Sequence, residues 1–490
     1  MRLSRDLPAL LAALALGVTA SLTLASPAAA SDTDAGLMSS DNVNLLSTSP
    51  SQVGISGCFM KTAPLFVTSG LDSVRVFDIT DAAHPELVGV LPSVQFENEA
   101  MNCGERRTEK GVERFVLIGV DLYQTSPGDI QHTNVGGKEL VVVDVTTPSS
   151  PRIRSRVAGT TSTHTVACVN ERNCTFAYSA GGRSTFSIFD LRNLDAPREV
   201  DGNRKEAGLQ PFATPTGGHK WNFDAAGYGT HTGWNGASIW KTTRPARPRL
   251  VTTTGDAGMG TDPAFEGWND FILHNSFRPN AKAFKPGRKP SFRNGNVLLA
   301  TEEDYEQTDC SLAGSFQTWW VKRLDGKPSS IVPLDKVELS DLGTFPLPRG
   351  AFCSSHWFDF RPGGIVAVGF YGGGTQLIDA RNPRALKPYG HAVWGASEVW
   401  DSMWVPIYNA QGKQTRRVSN IVYSIDLVRG LDVYAVDLPG KNHSARPTAA
   451  AVPTRTVSQR ASDSAMSVGL VGGAMVLTIA VRRRTRRKTT

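Results

Sequence analysis

A strand–turn–strand unit recurs along this chain, and that recurrence limits what the chain can fold into. Its best-formed copy is Ser73–Pro92, SVRVFDITDAAHPELVGVLP. Val74–Phe77 reads as a short strand and Glu86–Leu91 as its partner. Between them, Asp78, Thr80, Asp81 and Pro85 supply turn chemistry: Asp and Thr side chains bond nearby backbone, and Pro presets φ where the chain reverses. One such hairpin is marginal in water. Further copies are Glu139–Val157 (ELVVVDVTTPSSPRIRSRV), Thr185–Val200 (TFSIFDLRNLDAPREV), Ala237–Thr254 (ASIWKTTRPARPRLVTTT), Thr375–Gly390 and a truncated Gly430–Gly440. A repeated unit that cannot bury its own apolar face must stack on its neighbours.

Each copy follows another pair of candidate strands, so the unit has four strands. His164–Val169 and Cys174–Ala180 precede Thr185, for example, and Pro64–Gly70 precedes Ser73. A seventh unit is hidden by insertions: it starts at His274 and continues through Asn296–Thr301, Gln317–Val321 and Leu334–Leu339. No amphipathic helix interrupts the series. The pattern predicts an all-β, seven-bladed β-propeller over residues 41–440, six and eight being the neighbouring counts its uneven spacing allows. The last unit lacks its outer strand, and a spare strand, Val43–Ser47, precedes the first. That strand is expected to complete blade seven and lock the ring.

The ends read differently. Residues 1–30 have the basic start (Arg2, Arg5), apolar core and small-residue cleavage site of a secretory signal peptide. Residues 31–40 read as a flexible leader, and 441–463 as a Pro/Ala/Thr-rich stalk. Ser464–Val481 is an uncharged run of 18 residues, about 27 Å as a helix, enough for a thin bilayer core. Five arginines and a lysine follow within 482–490, as expected of a cytoplasmic tail. The expectation is an exported ectodomain anchored to the cytoplasmic membrane by a C-terminal helix. The formal net charge of +7 belongs to these ends, for 31–440 carries −3. A nucleic-acid partner is therefore disfavoured.

All six cysteines lie in the exported part, which favours disulfides. Cys168–Cys174 closes a short hairpin; Cys58–Cys103 and Cys310–Cys353 are the weaker pairings, since six cysteines allow 15 connectivities. No finger spacing for zinc is present.

The alternation of strand, apolar-apolar-Asp, turn and Pro-x-Leu-Val resembles the LVIVD-repeat family of bacterial exported propellers. VVVDVTTPSSP and VFDITDAAHPELVG match it closely; IWKTTRPARP, LIDARNPRAL and VYAVDLPG depart from it. The resemblance covers roughly 40–440. It implies the propeller fold and little about activity.

Two sets of polar residues stand out. Asp78, Asp144, Asp190 and Asp379 recur at one turn and are expected to cap it. The start of the innermost strand is more informative. Aligned there are Gly54, Glu99, His164, His219, His274, His356 and Asp401. Four of nine histidines share this register. Inner strands line a propeller's channel, so these residues form a ring at one mouth. The second strand returns to that face and brings Glu302, Glu303, Asp304 and Asp426 near.

Two function classes follow. In one, His164, His219, His274 and His356 hold a divalent metal ion, with Glu99, Asp401, Glu302 and Glu303 as carboxylate support, in a metal-dependent enzyme of oxidoreductase type. Carotenoid oxygenases, also seven-bladed, hold iron with four axial histidines. That is an analogy of fold alone, and their other motifs are absent. In the other, these side chains line a wet channel. The propeller is then a binding or scaffolding module at the cell surface, meeting a protein or a cell-wall polymer. The basic insertion Arg278–Arg293 reads as an exposed loop suited to an anionic partner. Trp319, Trp320, Trp400 and Trp404 read as packing between blades. No G-x-S-x-G nucleophile motif or EF-hand spacing is present, and Gly369–Gly374 reads as a blade turn rather than a phosphate loop.

Overall fold

In the computed structural model the repeats form blades. It describes residues 36–439 except 50–53, 71, 93–98, 100, 121–137, 183, 255–267, 269–270, 344, 346 and 349–351. The expected signal peptide, stalk, apolar C-terminal run and basic tail lie outside the described residues. Among the described residues no helix is long and apolar enough to cross a membrane.

Among the described residues seven of the eight antiparallel sheets are blades, with innermost strands Ser56–Phe59, Asn102–Thr108, Thr165–Cys168, Lys220–Phe223, Ile272–Phe277, Phe358–Arg361 and Val399–Tyr408. Second strands such as Leu65–Ser69, Val297–Glu303 and Ile365–Gly369 are buried throughout, because each lies between two neighbouring blades. Outer strands such as Glu86–Pro92 are largely solvent-facing. The core accordingly lies between blades: Val67 and Val76 of blade one pack with Val116 and Ile118 of blade two, and Ile239 of blade four with Leu298 of blade five. Trp319 and Trp404 are buried in this packing.

The ring closes as the spare strand requires. Val43–Ser49 pairs antiparallel with Gly430–Val436, Val43 opposite Val436, and completes blade seven. The flexible-leader expectation for 31–40 needs correction: Leu37–Ser39 pairs with Lys387–Trp394 as a fifth strand of blade six. Leu37 and Met38 pack onto apolar neighbours there, and pairing covers an otherwise open sheet edge.

The repeated aspartates cap turns. Asp78, Asp144, Asp190 and Asp379 accept the backbone N–H two residues on, from Thr80, Thr146, Arg192 and Arg381. The three disulfides are Cys58–Cys103, Cys168–Cys174 and Cys310–Cys353. The basic insertion is not wholly exposed. Arg278 is buried and pairs with Asp224, Nη2 to Oδ2 at 2.5 Å, while Lys285–Lys289 face solvent.

Candidate metal centre

Each histidine is fixed where an inner strand begins, and the neighbouring blade helps to hold it. His219 N–H donates to Thr232 O (2.8 Å) and His356 N–H to Gly369 O (2.8 Å). Thr165 of blade three bonds the carbonyl of His219 in blade four; Thr232 of blade four bonds that of His274 in blade five (2.7 Å). Gly119 lets blade two approach blade three: a Cβ there would lie 1.7 Å from the carbonyl oxygen of Thr163, next to His164.

The four imidazoles meet on one carboxylate. Nε2 of His274 and of His356 each lies 2.8 Å from Glu99 Oε1. Nε2 of His219 lies 3.3 Å from Glu99 Oε2, and His164 Nε2 contacts the same oxygen. The Nε2 atoms of His164 and His219 are 3.3 Å apart. Glu303 forms the other wall, 3.8 Å from His219 and His274 Nε2 and 4.0 Å from His356 Nε2. One ligand atom each from Glu99, His219, His274 and Glu303 falls within 4.8 Å of the others. His274 and His356 side chains are fully buried, whereas His164 is 25% exposed, so the cluster is approached past His164.

The other carboxylates of the predicted ring do not join it. Glu302 turns to the opposite face of its strand, where Ser315 Oγ donates to it (3.0 Å), because successive strand residues alternate faces. Asp304 and Asp426 cap turns, accepting backbone N–H groups of Glu306 and of Val428. Asp401 follows a break in strand register between Val399 and Asp401 and faces the channel on the far side of the cluster. Gly54 has no side chain to offer.

Several residues of the site carry no motif. Trp357 lies against the imidazoles, its ring centroid 4.1 Å from that of His274 and 5.0 Å from that of His356, and its indole N–H donates to Glu99 O (3.1 Å). Tyr371 donates its hydroxyl to Glu303 and packs on His356, centroids 4.8 Å apart. Its φ of 45° is rare for a bulky side chain. Trp400, expected between blades, flanks His356 at 5.0 Å; its carbonyl accepts from His356 Nδ1 (2.8 Å). Trp357 was within reach of the sequence as the residue after an aligned histidine; the role of Tyr371 had no such signal.

The electrostatics are those of a tightly coupled buried cluster. Burial opposes ionisation of Glu99, but the imidazoles of His164 and His219 and hydrogen bonds from His164 and His274 outweigh it. They hold its carboxyl well below the usual range. Burial pushes Glu303 up to about 7, with help from the Glu99 charge. Burial pulls His219 down to about 3 and His274 well below its ordinary value, leaving neutral imidazoles. Burial also disfavours the charged form of His356, but its bond to Glu99 prevails and raises it. The Nδ1 atoms of His219 and His274 are buried without a hydrogen bond.

No family model matches this chain, and no curated protein matches it. Among solved structures, the β-propeller domain of Cps50 (Swd1) from Myceliophteria thermophila superposes with a TM-score of 0.50 at 11% identity, covering 81% of this chain and 100% of that one. Sqt1 of Saccharomyces cerevisiae is similar with a TM-score of 0.43 at 10% identity, over 82% of this chain and 94% of that one. At such identities the likeness extends to fold alone: the chain is an all-β, seven-bladed β-propeller.

Proposed function

We propose that this chain is an exported, membrane-tethered propeller of the LVIVD-repeat type that holds a divalent transition-metal ion on its axis and performs metal-dependent chemistry there. The observation that carries this is the convergence of imidazoles from four successive blades on the carboxylate of Glu99. Imidazole-rich sets with a carboxylate suit zinc, copper, iron or nickel. A buried carboxylate crowded by four imidazole nitrogens, with the Nδ1 atoms of His219 and His274 left without a hydrogen bond, is a poor resting arrangement for a polar core and a good one for a cation. His164, His219, His274 and His356 would hold the ion, with Glu99 and Glu303 as carboxylate partners. A bound ion of this kind supplies Lewis acidity and a readily deprotonated water. The protein's part is to fix these donors, to exclude water with Trp357 and Tyr371, and to leave an approach beside His164.

A second reading, a binding or scaffolding module for a protein or wall polymer, is favoured by the exposed basic segment Lys285–Lys289. The export proposal is supported by six cysteines that all pair and by the terminal segments; protease accessibility of the ectodomain on intact cells tests it. Elemental analysis of the purified full chain tests the metal. About one ion per chain is expected, lost in His219→Ala and His274→Ala. A folded wild type that carries no metal and takes up none of the four candidates rejects the metal and leaves the binding module.

A further inference from the structure

Beneath the imidazole cluster the propeller axis opens into a cavity of about 910 Å³, lined by inner-strand residues of all seven blades. Trp357 roofs it: the imidazoles lie against the indole, and Lys220 Nζ sits 4.6 Å from a ring centroid of the same side chain. Most charged groups on the wall are already paired. Lys61 meets Glu171 at 2.8 Å, Asp224 meets Arg278, and Asp359 accepts the backbone N–H of Trp404 at 3.0 Å.

Two stand apart. Lys220 and Asp401 each retain only 8% exposure. Asp401 accepts a hydrogen bond from the backbone N–H of Ser402; among the described residues neither side chain has an ion-pair partner within 4 Å, and the two attract each other only at longer range. Burying one charge without an ion pair is costly. Holding two opposite charges apart in one cavity forgoes the pairing that would relieve both. A ligand that carries both complements, and lies between them, resolves the arrangement.

We infer that the inner end of this channel binds a small zwitterion of the α-amino acid class, its carboxylate on Lys220 and its ammonium on Asp401, with its carbon skeleton against the Trp357 indole. A cation on an aromatic face and a planar apolar wall suit such a molecule. A ligand with one charge leaves the other residue unpaired. The site requires no metal, so it stands or falls separately from the centre above Trp357.

The test uses the purified full chain in detergent and each of the twenty amino acids in turn, read by thermal shift and titration calorimetry. At least one should bind saturably with one-to-one stoichiometry. Its decarboxylated amine and its N-acetyl derivative, each lacking one charge, should bind at least tenfold more weakly. Lys220→Met and Asp401→Asn should each lose at least tenfold in affinity, with metal content unchanged from wild type. The inference is overturned if no amino acid binds, or if the singly charged analogues bind as tightly as the parent. The analogue series uses wild-type protein and so decides the matter even where a variant fails to fold.

Discussion

Glu99 and His356 lie 257 residues apart in sequence and meet across the propeller axis, His356 Nε2 donating to Glu99 Oε1 at 2.8 Å. The carboxylate enters from blade two, the imidazole from blade six. Because His164, His219 and His274 reach the same carboxylate, Glu99 is the group on which the site's order depends. Glu99→Gln keeps the shape and removes the charge. It should weaken metal binding at least tenfold, the scale of loss for disturbed ligand surroundings, and lower the melting temperature. Chelator competition and thermal unfolding measure the two effects; unchanged values for both would remove Glu99 from its central role.

Tyr371 holds Glu303 through its hydroxyl. Tyr371→Phe removes that bond alone and should cost about 1 kcal/mol of stability. It should also loosen metal binding by roughly tenfold or more, with stoichiometry kept. Denaturant unfolding beside chelator competition separates the effects. If only stability changes, Tyr371 belongs to the fold and not to the ion.

Gly119 sets the distance between blades two and three beside His164. A methyl group there would meet Thr163 O at 1.7 Å, so the backbone carrying His164 must shift. Gly119→Ala should destabilise by about 1–3 kcal/mol, as overpacking does, and lower metal occupancy. A crystal structure of the variant with His164 undisplaced would contradict this.

The disulfides should differ in weight. Cys58–Cys103 closes a separation of 45 residues and Cys168–Cys174 one of 6. Chain entropy gives about 4 kcal/mol for the first loop and about 2 kcal/mol for the second. Paired Cys→Ser replacements compared by urea unfolding should show that order; the reverse order would speak against the entropic account.

His231 supplies a pH dependence away from the metal donors. Its Nδ1 sits 3.1 Å from Thr214 Oγ1 and 3.0 Å from Thr216 Oγ1, and its ring stacks on Trp221. Burial alone pulls its pKa down to about 3. In the unfolded chain an imidazole titrates near 6.5, as a rough reference value. Between those values the unfolded state binds a proton that the native state refuses. Stability therefore falls as pH drops below about 6.5, by up to about 1.4 kcal/mol per pH unit. His231→Gln should shrink the loss between pH 7.5 and pH 5 by about 2 kcal/mol. Urea unfolding at both pH values reads this, and an undiminished loss rules it out.

Much of this protein follows from the order of its residues. Strand, Asp turn and strand recur because each hairpin needs a neighbour to cover its apolar face, and that recurrence determines a propeller of six to eight blades with Val43–Ser47 as its closing strand. The pairing of the ring decided seven and carried that strand to Ser49. Alignment of the repeats also puts Glu99, His164, His219, His274 and His356 in one register, since equivalent positions in a ring share a height. Height does not determine distance across a channel. Only the closed ring decided that four imidazoles share Glu99, that Glu303 joins them while Glu302 alternates to the other face, and that a break in register sends Asp401 to the opposite side of Trp357. Leu37–Ser39, within the stretch that reads as a flexible leader, becomes a strand because blade six presents an open edge. Tyr371 reaches the site through a backbone conformation that its side chain would not choose alone. These outcomes depend on contacts between residues far apart in the chain, 357 positions for Leu37 opposite Trp394, and no local pattern encodes them.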